Sequence, residues 1–303
     1  VSAGAKHSLY NAILAMVNPG DEVVIPMPAW VSYVEMVKLA EGTVVPVEAG
    51  IDQNFKVTPA QLEAAITPRT SMVLLCSPSN PSGSVYSREE LRGLVDVLAR
   101  HPHVAVLSDE IYEHINYTGS FTSLGSFPEI ADRVVIVNGV SKAYAMTGWR
   151  IGFIAAPVAM AKAVTKLQGQ TTSGISTIAQ MAALAAYTGP QQCVEDMRVA
   201  FERRRDLVVR LAAEIPGLKA NKPDGAFYLF PEVSAFLGKT APDGRVIATD
   251  NDLCLYLLEV AHVATVPGSA FCLPGYIRLS YAASDEALTE AFSRLRTALA
   301  QLN

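Results

Sequence analysis

Lys142 stands in the run Val-Asn-Gly-Val-Ser-Lys-Ala-Tyr-Ala-Met-Thr-Gly-Trp-Arg-Ile-Gly from Val137 to Gly152, where an apolar strand breaks into a turn of small residues. An ammonium group buried behind a strand end is costly unless it does chemistry. In apolar surroundings its pKa falls, and the neutral amine can attack an aldehyde to form a Schiff base. Arg150, further along the same run, offers a fixed charge for an anion. A solvated surface pair is the plain structural alternative for these two residues.

Other places could serve the same chemistry. Gly4-Ala5-Lys6 opens a helix, so backbone N–H groups and the helix dipole there can cradle a phosphate; an ordinary helix start is the alternative. Ser-Pro-Ser-Asn-Pro-Ser-Gly, from Ser77 to Gly83, either holds the Asn80 amide rigidly between prolines or is a surface turn. Asp109, followed by Glu110, Ile111 and Tyr112, ends a hydrophobic run with an acid, which is expensive unless the acid meets a cation. A structural arginine would also satisfy it. Trp30 follows Met27-Pro28-Ala29 at a helix start, a position equally suited to core packing. Arg278, between Ile277 and Leu279, suits bidentate carboxylate binding if its strand faces a cleft, and solvent if it does not.

The elements that must position these residues alternate along the chain. Helical spacing from Ala5 to Val17 stops at Asn18-Pro19-Gly20. Short apolar runs at 22–27, 43–47, 71–76, 104–108 and 134–138 suit strands buried on both faces. Helical stretches at 30–40, 59–66 and 88–100 lie between them, and 149–155 reads as a further strand. This pattern predicts an α/β fold with a mainly parallel, mixed sheet covered by helices on both faces. After helices at 157–169, 175–187 and 191–215 the style changes. Strands near 226–230, 263–267 and 276–281 and helices at 252–262 and 284–302 predict a smaller α+β unit. We expect a large cofactor-binding domain over 1–195 and a small carboxyl-terminal domain over 196–303. In open parallel sheets ligands bind at the carboxyl ends of strands, and Asn80, Asp109 and Lys142 all fall just there.

Composition removes several function classes. The 303 residues are half hydrophobic and 17% charged with a net charge of −5, and no basic run exceeds the triplet Arg203 to Arg205, which excludes a nucleic-acid footprint. Four dispersed cysteines and five histidines show no metal-ligand spacing, so no metal is expected and the cysteines read as reduced, in a cytoplasmic protein. Apolar runs fall short of the ~18 residues that would span a bilayer. The chain opens on Val1 and enters a helix at once, which reads as the interior of a longer protein.

Taken together, the motifs resemble those of fold type I pyridoxal-phosphate aminotransferases, class I, of the bacterial aspartate/aromatic group. The matching segments are A-G-A-K-H-S-L-Y-N-A-I-L, P-A-W-V-S-Y, S-P-S-N-P-S-G, S-D-E-I-Y-E-H, N-G-V-S-K-A-Y-A-M-T-G-W-R-I-G, P-D-G-A-F-Y and V-P-G-S-A-F-C-L-P-G-Y-I-R-L-S-Y-A, in order along the chain. The resemblance implies that Lys142 forms the Schiff base with pyridoxal 5'-phosphate, and that Asp109 pairs with its ring nitrogen. It implies further that Tyr112 and Asn80 bond the phenolic oxygen, that Trp30 stacks on the ring, and that Gly4, Ala5, Arg150 and Ser141 hold the phosphate. Arg278 would take the substrate's α-carboxylate, and Lys6 the distal carboxylate of an acid such as aspartate, with 2-oxoglutarate as acceptor.

The chain departs from the family at Gly139, where many relatives carry a phosphate-binding serine, and a serine stands instead at Ser141. The resemblance also implies about one hundred family residues before the segment matching Val1, including an arm over the site and a tyrosine reaching the neighbouring subunit's phosphate. A homodimer is expected, with the stretch 170–177 near the interface. An aromatic or prephenate aminotransferase, a β-lyase using the same cofactor, a non-enzymatic regulator domain and an inactive fragment stand as alternatives.

Overall fold

The computed structural model describes all 303 residues. Its first part builds one six-stranded sheet from β1 (Glu22–Met27), β2 (Thr43–Glu48), β3 (Thr70–Cys76), β4 (Ala105–Asp109), β5 (Val134–Gly139) and β6 (Gly152–Ala155), in the spatial order β2-β1-β3-β4-β5-β6. The first five strands run parallel and β6 runs antiparallel to β5. Central strands such as β3 are buried on both faces, as their continuous Val, Leu and Met residues require. Pro26 cannot donate a ladder hydrogen bond, and it sits where β1 has already parted from β3. Pro46 lies on the edge strand β2.

Helices α1 (Ala5–Met16), α2 (Val31–Leu39), α3 (Pro59–Ala65), α4 (Arg88–Arg100), α5 (Val158–Gly169) and α6 (Thr177–Thr188) accompany this sheet. Two apolar clusters lie against it. One joins α1 and α2 to residues such as Val23 and Leu107, and the other joins α3 and α4 to Val24, Val73 and Val106. Strand neighbours therefore point alternately into the two layers. Capping boxes at Thr58/Gln61 and Ser87/Glu90 start α3 and α4 by satisfying their free N–H groups.

The long α7 (Gln192–Ala213) leads to a second, antiparallel sheet of β7 (Tyr228–Leu229), β8 (Val266–Pro267) and β9 (Ile277–Ser280), in the order β7-β9-β8. It packs with α7, α8 (Asp250–Ala261) and α9 (Asp285–Leu299) around a separate core that also takes in Ile111, Tyr112 and Ile115. That core joins the turn after β4 to the small sheet.

The strand expected over 149–155 is shorter. Residues Thr147–Trp149 form a single helical turn, and Arg150 adopts left-handed backbone (φ 55°) before β6 begins at Gly152. The chain has to reverse there to enter antiparallel, and a strand cannot make that turn. The strands expected at 226–230 and 263–267 likewise shrink to their paired residues.

Candidate functional site

The spatial order β3-β4-β5 brings three consecutive carboxyl ends side by side, with Cys76 opposite Asp109 and Asp109 opposite Val137. The loops leaving those ends carry Asn80, Asp109 with Tyr112, and Ser141 with Lys142. All five line one cavity of about 330 Å³, together with Ala5, Lys6, Trp30, Arg150 and Arg278. The volume lies within the range of about 300–1,000 Å³ usual for small-molecule sites. Every sequence-predicted site residue except Gly4 lines this cavity, and Gly4 adjoins it.

Lys142 is half-buried rather than enclosed. Its Nζ lies 5.7 Å from the ring centroid of Tyr112 and 5.6 Å from that of Phe227. Burial holds its pKa below the ordinary lysine range; the charge of Arg278 and, more weakly, that of Arg150 add to this, while Asp109 opposes it.

Asp109 is 4% exposed. Its Oδ2 accepts from the Tyr33 hydroxyl at 2.7 Å and its Oδ1 from the Ile111 N–H at 3.2 Å, and no basic side chain forms an ion pair with it. Burial raises its pKa, against the two hydrogen bonds and the more distant Lys142. A buried carboxylate with donors but no countercharge is suited to receiving a cationic group.

The start of α1 lies beside Arg150. Ser2 and Gly152 exchange backbone hydrogen bonds at 2.7 and 3.0 Å, which ties this segment to β6. Gly4 has φ 94°, and a Cβ there would collide with the Arg150 guanidinium. The N–H groups of Ala5 and Lys6 bond no protein atom, and α1 has no side-chain cap. Arg150 is exposed and donates only to the carbonyls of Thr147 (2.8 Å) and Ala3 (3.2 Å). Free helix N–H groups next to an arginine without a carboxylate partner form an anion cradle.

Arg278 enters from β9. Its guanidinium lies between the rings of Tyr228 (4.5 Å) and Phe271 (4.9 Å), its Nη1 donates to Asn80 Oδ1 at 2.9 Å, and its buried Nε has no partner. An arginine stacked in this way keeps its N–H edge available for a planar carboxylate. Lys6 reaches over Trp30, with Nζ 4.7 Å from the ring, and Trp30 in turn meets Tyr33 edge-on at 5.4 Å.

Five cavity residues escaped the sequence reading, Leu9, Tyr33, Ile111, Thr147 and Tyr228, and two of them, Tyr33 and Tyr228, place a hydroxyl against a predicted site residue. Tyr33 follows Trp30 at the i+3 spacing that places both on one helix face, and this was the available signal. Tyr228 lies in the P-D-G-A-F-Y segment, but its place opposite Tyr112 depends on how the two sheets meet.

A model of the family described as aminotransferase class I and II matches residues 1–295. An aspartate aminotransferase of Rhizobium meliloti (strain 1021) is 50% identical over 305 residues, an alignment covering all of this chain and 74% of that protein. An aspartate/prephenate aminotransferase of Cereibacter sphaeroides is also 50% identical, over 100% of this chain and 76% of its own length. The crystal structure of the Rhizobium meliloti aspartate aminotransferase superposes with a TM-score of 0.96 at 49% identity, covering 100% of this chain and 76% of that one.

Proposed function

The chain belongs to the class I and II aminotransferase family, and from that premise we propose that it holds pyridoxal 5'-phosphate at Lys142 and transfers the amino group of an L-amino acid, aspartate foremost, to 2-oxoglutarate in a ping-pong cycle. One observation carries the reading: the Lys142 amine, depressed in pKa, shares a cavity with a buried carboxylate lacking a countercharge and an arginine lacking a partner at Nε.

The residues present fit the cofactor. Ala5 and Lys6 N–H groups, the Gly4 turn and Arg150 would take the phosphate, with the Ser141 hydroxyl beside them. Asp109 would face the protonated ring nitrogen, which would bring its raised pKa back down. Tyr112 and Asn80 would meet the phenolic oxygen, and Trp30 would cover the ring. When bound, the cofactor supplies an electron sink for the carbanion left as a substrate's Cα proton departs.

The chain's own part is to bind, orient and move that proton. Lys142 Nζ can accept it only when neutral, a state that burial and the charges of Arg278 and Arg150 favour. Arg278 fixes the α-carboxylate through the edge not engaged by Asn80. Lys6 would hold a distal carboxylate, which favours a dicarboxylic substrate. Prephenate as the amino acceptor is a second reading, favoured by the Cereibacter relative's name.

The reading includes a domain boundary within α7, near residue 195, supported by the separate core around the small sheet. It includes a homodimer, supported by exposed Ile178, Met181 and Leu184 along α6. It also includes a cytoplasmic location, supported by four cysteines that form no disulfide.

The test is the absorbance of the purified chain with pyridoxal phosphate before and after aspartate. A visible band that aspartate bleaches, with release of a 2-oxo acid and no ammonia, is expected. A band that survives Lys142→Ala rejects the assignment of Lys142, and ammonia release would point instead to a β-lyase.

A further inference from the structure

Resting on that reading of the site, we infer that the Tyr228 hydroxyl is a positioning group that sets the direction in which Tyr112 donates its proton and passes the charge state of Arg278 on to it. Tyr112 comes from the turn after β4, and Tyr228 lies in β7 of the small sheet. Their hydroxyl oxygens are 3.0 Å apart, both residues are buried, and neither hydroxyl has another protein partner. Two phenols in contact share one proton and keep one spare. Whichever oxygen donates within the pair leaves the other free to donate elsewhere.

Arg278 breaks the symmetry. Its guanidinium lies 4.5 Å from the Tyr228 ring centroid, and positive charge over a phenol ring makes the hydroxyl a stronger donor. Tyr112 is buried and lies near the Asp109 carboxylate, and both make its O–H harder to polarise. Burial acts in the same sense on Tyr228, where the charge of Arg278 opposes it. The Lys142 amine, 5.7 Å from the Tyr112 ring, works in the opposite sense to Asp109, but it is farther away than Arg278 is from Tyr228. Tyr228 therefore donates to the Tyr112 oxygen, and the Tyr112 O–H turns into the cavity. Accepting one hydrogen bond strengthens the bond a hydroxyl donates.

The pairing has a consequence for substrate binding. A carboxylate on Arg278 neutralises the charge over Tyr228, weakens the Tyr228 donation and so weakens the Tyr112 donation in turn. This route runs through two hydroxyl groups and is separate from the direct bond between Arg278 and Asn80.

The experiment compares the wild-type chain and Tyr228→Phe, each loaded with pyridoxal phosphate. The pH midpoint of the visible band is measured with and without succinate, a dicarboxylate that can occupy Arg278 but has no amino group to transfer. Donation to the phenolic oxygen stabilises its anion, so losing Tyr228's support should raise the midpoint by about half a unit. Succinate should raise the wild-type midpoint and move that of the variant less. Replacing Tyr228 by 3,5-difluorotyrosine, a stronger donor of nearly the same shape, should lower the midpoint, and it decides the matter if Tyr228→Phe fails to fold. The same midpoint and the same succinate response in the substituted proteins and the wild type overturn the relay. No visible band in the wild type rejects the proposed function, and the relay falls with it.

Discussion

Tyr33→Phe tests how the site keeps Asp109 ready for a cation. The variant keeps the aromatic ring, 2% exposed in the wild type, and removes the hydroxyl that donates to Asp109 Oδ2 at 2.7 Å. A hydrogen bond to a charged group is worth about 1.5–3 kcal/mol, and one pKa unit corresponds to about 1.4 kcal/mol. Only the Ile111 N–H then remains on the carboxylate, so the pKa of Asp109 in the cofactor-free fold should rise by about one to two units. The lower end applies if a water enters the space left by the hydroxyl.

The assay is the dissociation constant of pyridoxal phosphate as a function of pH. Below the pKa of Asp109 the carboxyl must lose its proton before it can pair with the ring nitrogen, so affinity falls about tenfold per unit. The break in that curve should move upward in the variant. Stability gives an independent reading. Burial raises the folded pKa of Asp109 above its unfolded value, so its ionisation costs folding stability as pH climbs from about 4 toward the folded pKa. The variant extends that window upward and should lose more stability at pH 7 than at pH 4. A break that does not move, with an equal stability loss at both pH values, would refute the reasoning.

Two further outcomes are expected. Glu110 is buried, accepts from Ser108, Ser123 and the Leu124 N–H, and has its pKa pushed up to about 7. A raised carboxyl pKa means stability present at low pH and lost as pH rises through the folded value, so Glu110→Gln should remove this group's loss of about 3 kcal/mol between pH 4.5 and 7, read by chemical denaturation against the wild type; an unchanged pH dependence would count against it. Arg278→Leu removes the largest charge effect holding down Lys142, so the pH midpoint for trace acetylation of Lys142 in cofactor-free protein should rise, and the KM for aspartate should rise at least about tenfold. Labelling with an unshifted midpoint would show that burial alone sets the amine.

The sequence was most legible where chemistry coincides with local pattern. Asn80, Asp109 and Lys142 each follow a short apolar run, so their position at strand ends could be read directly, and the motifs extended this to Arg150 and Arg278. What stayed hidden depends on how elements meet. Neither the order β2-β1-β3-β4-β5-β6 nor the reversal before β6 is written in a two-residue period, and Trp149 and Ile151 looked like strand residues because apolar side chains also serve a turn. Tyr228 touches Tyr112 across 116 positions of sequence, through packing between sheets that no local window contains. Lys142 is only half-buried although the residues around it in sequence are apolar, because apolar neighbours in sequence do not close a cavity in space.

The anion cradle has an entropic consequence. Its two halves, the segment around Ser2 to Lys6 and the segment around Thr147 to Gly152, are joined by contacts such as Arg150 to Ala3, 147 positions apart. Holding such distant positions together costs the entropy of closing a long loop. A phosphate bonded to both halves at once would offset part of that cost, so it would act as a latch between the start of the chain and the edge strand β6.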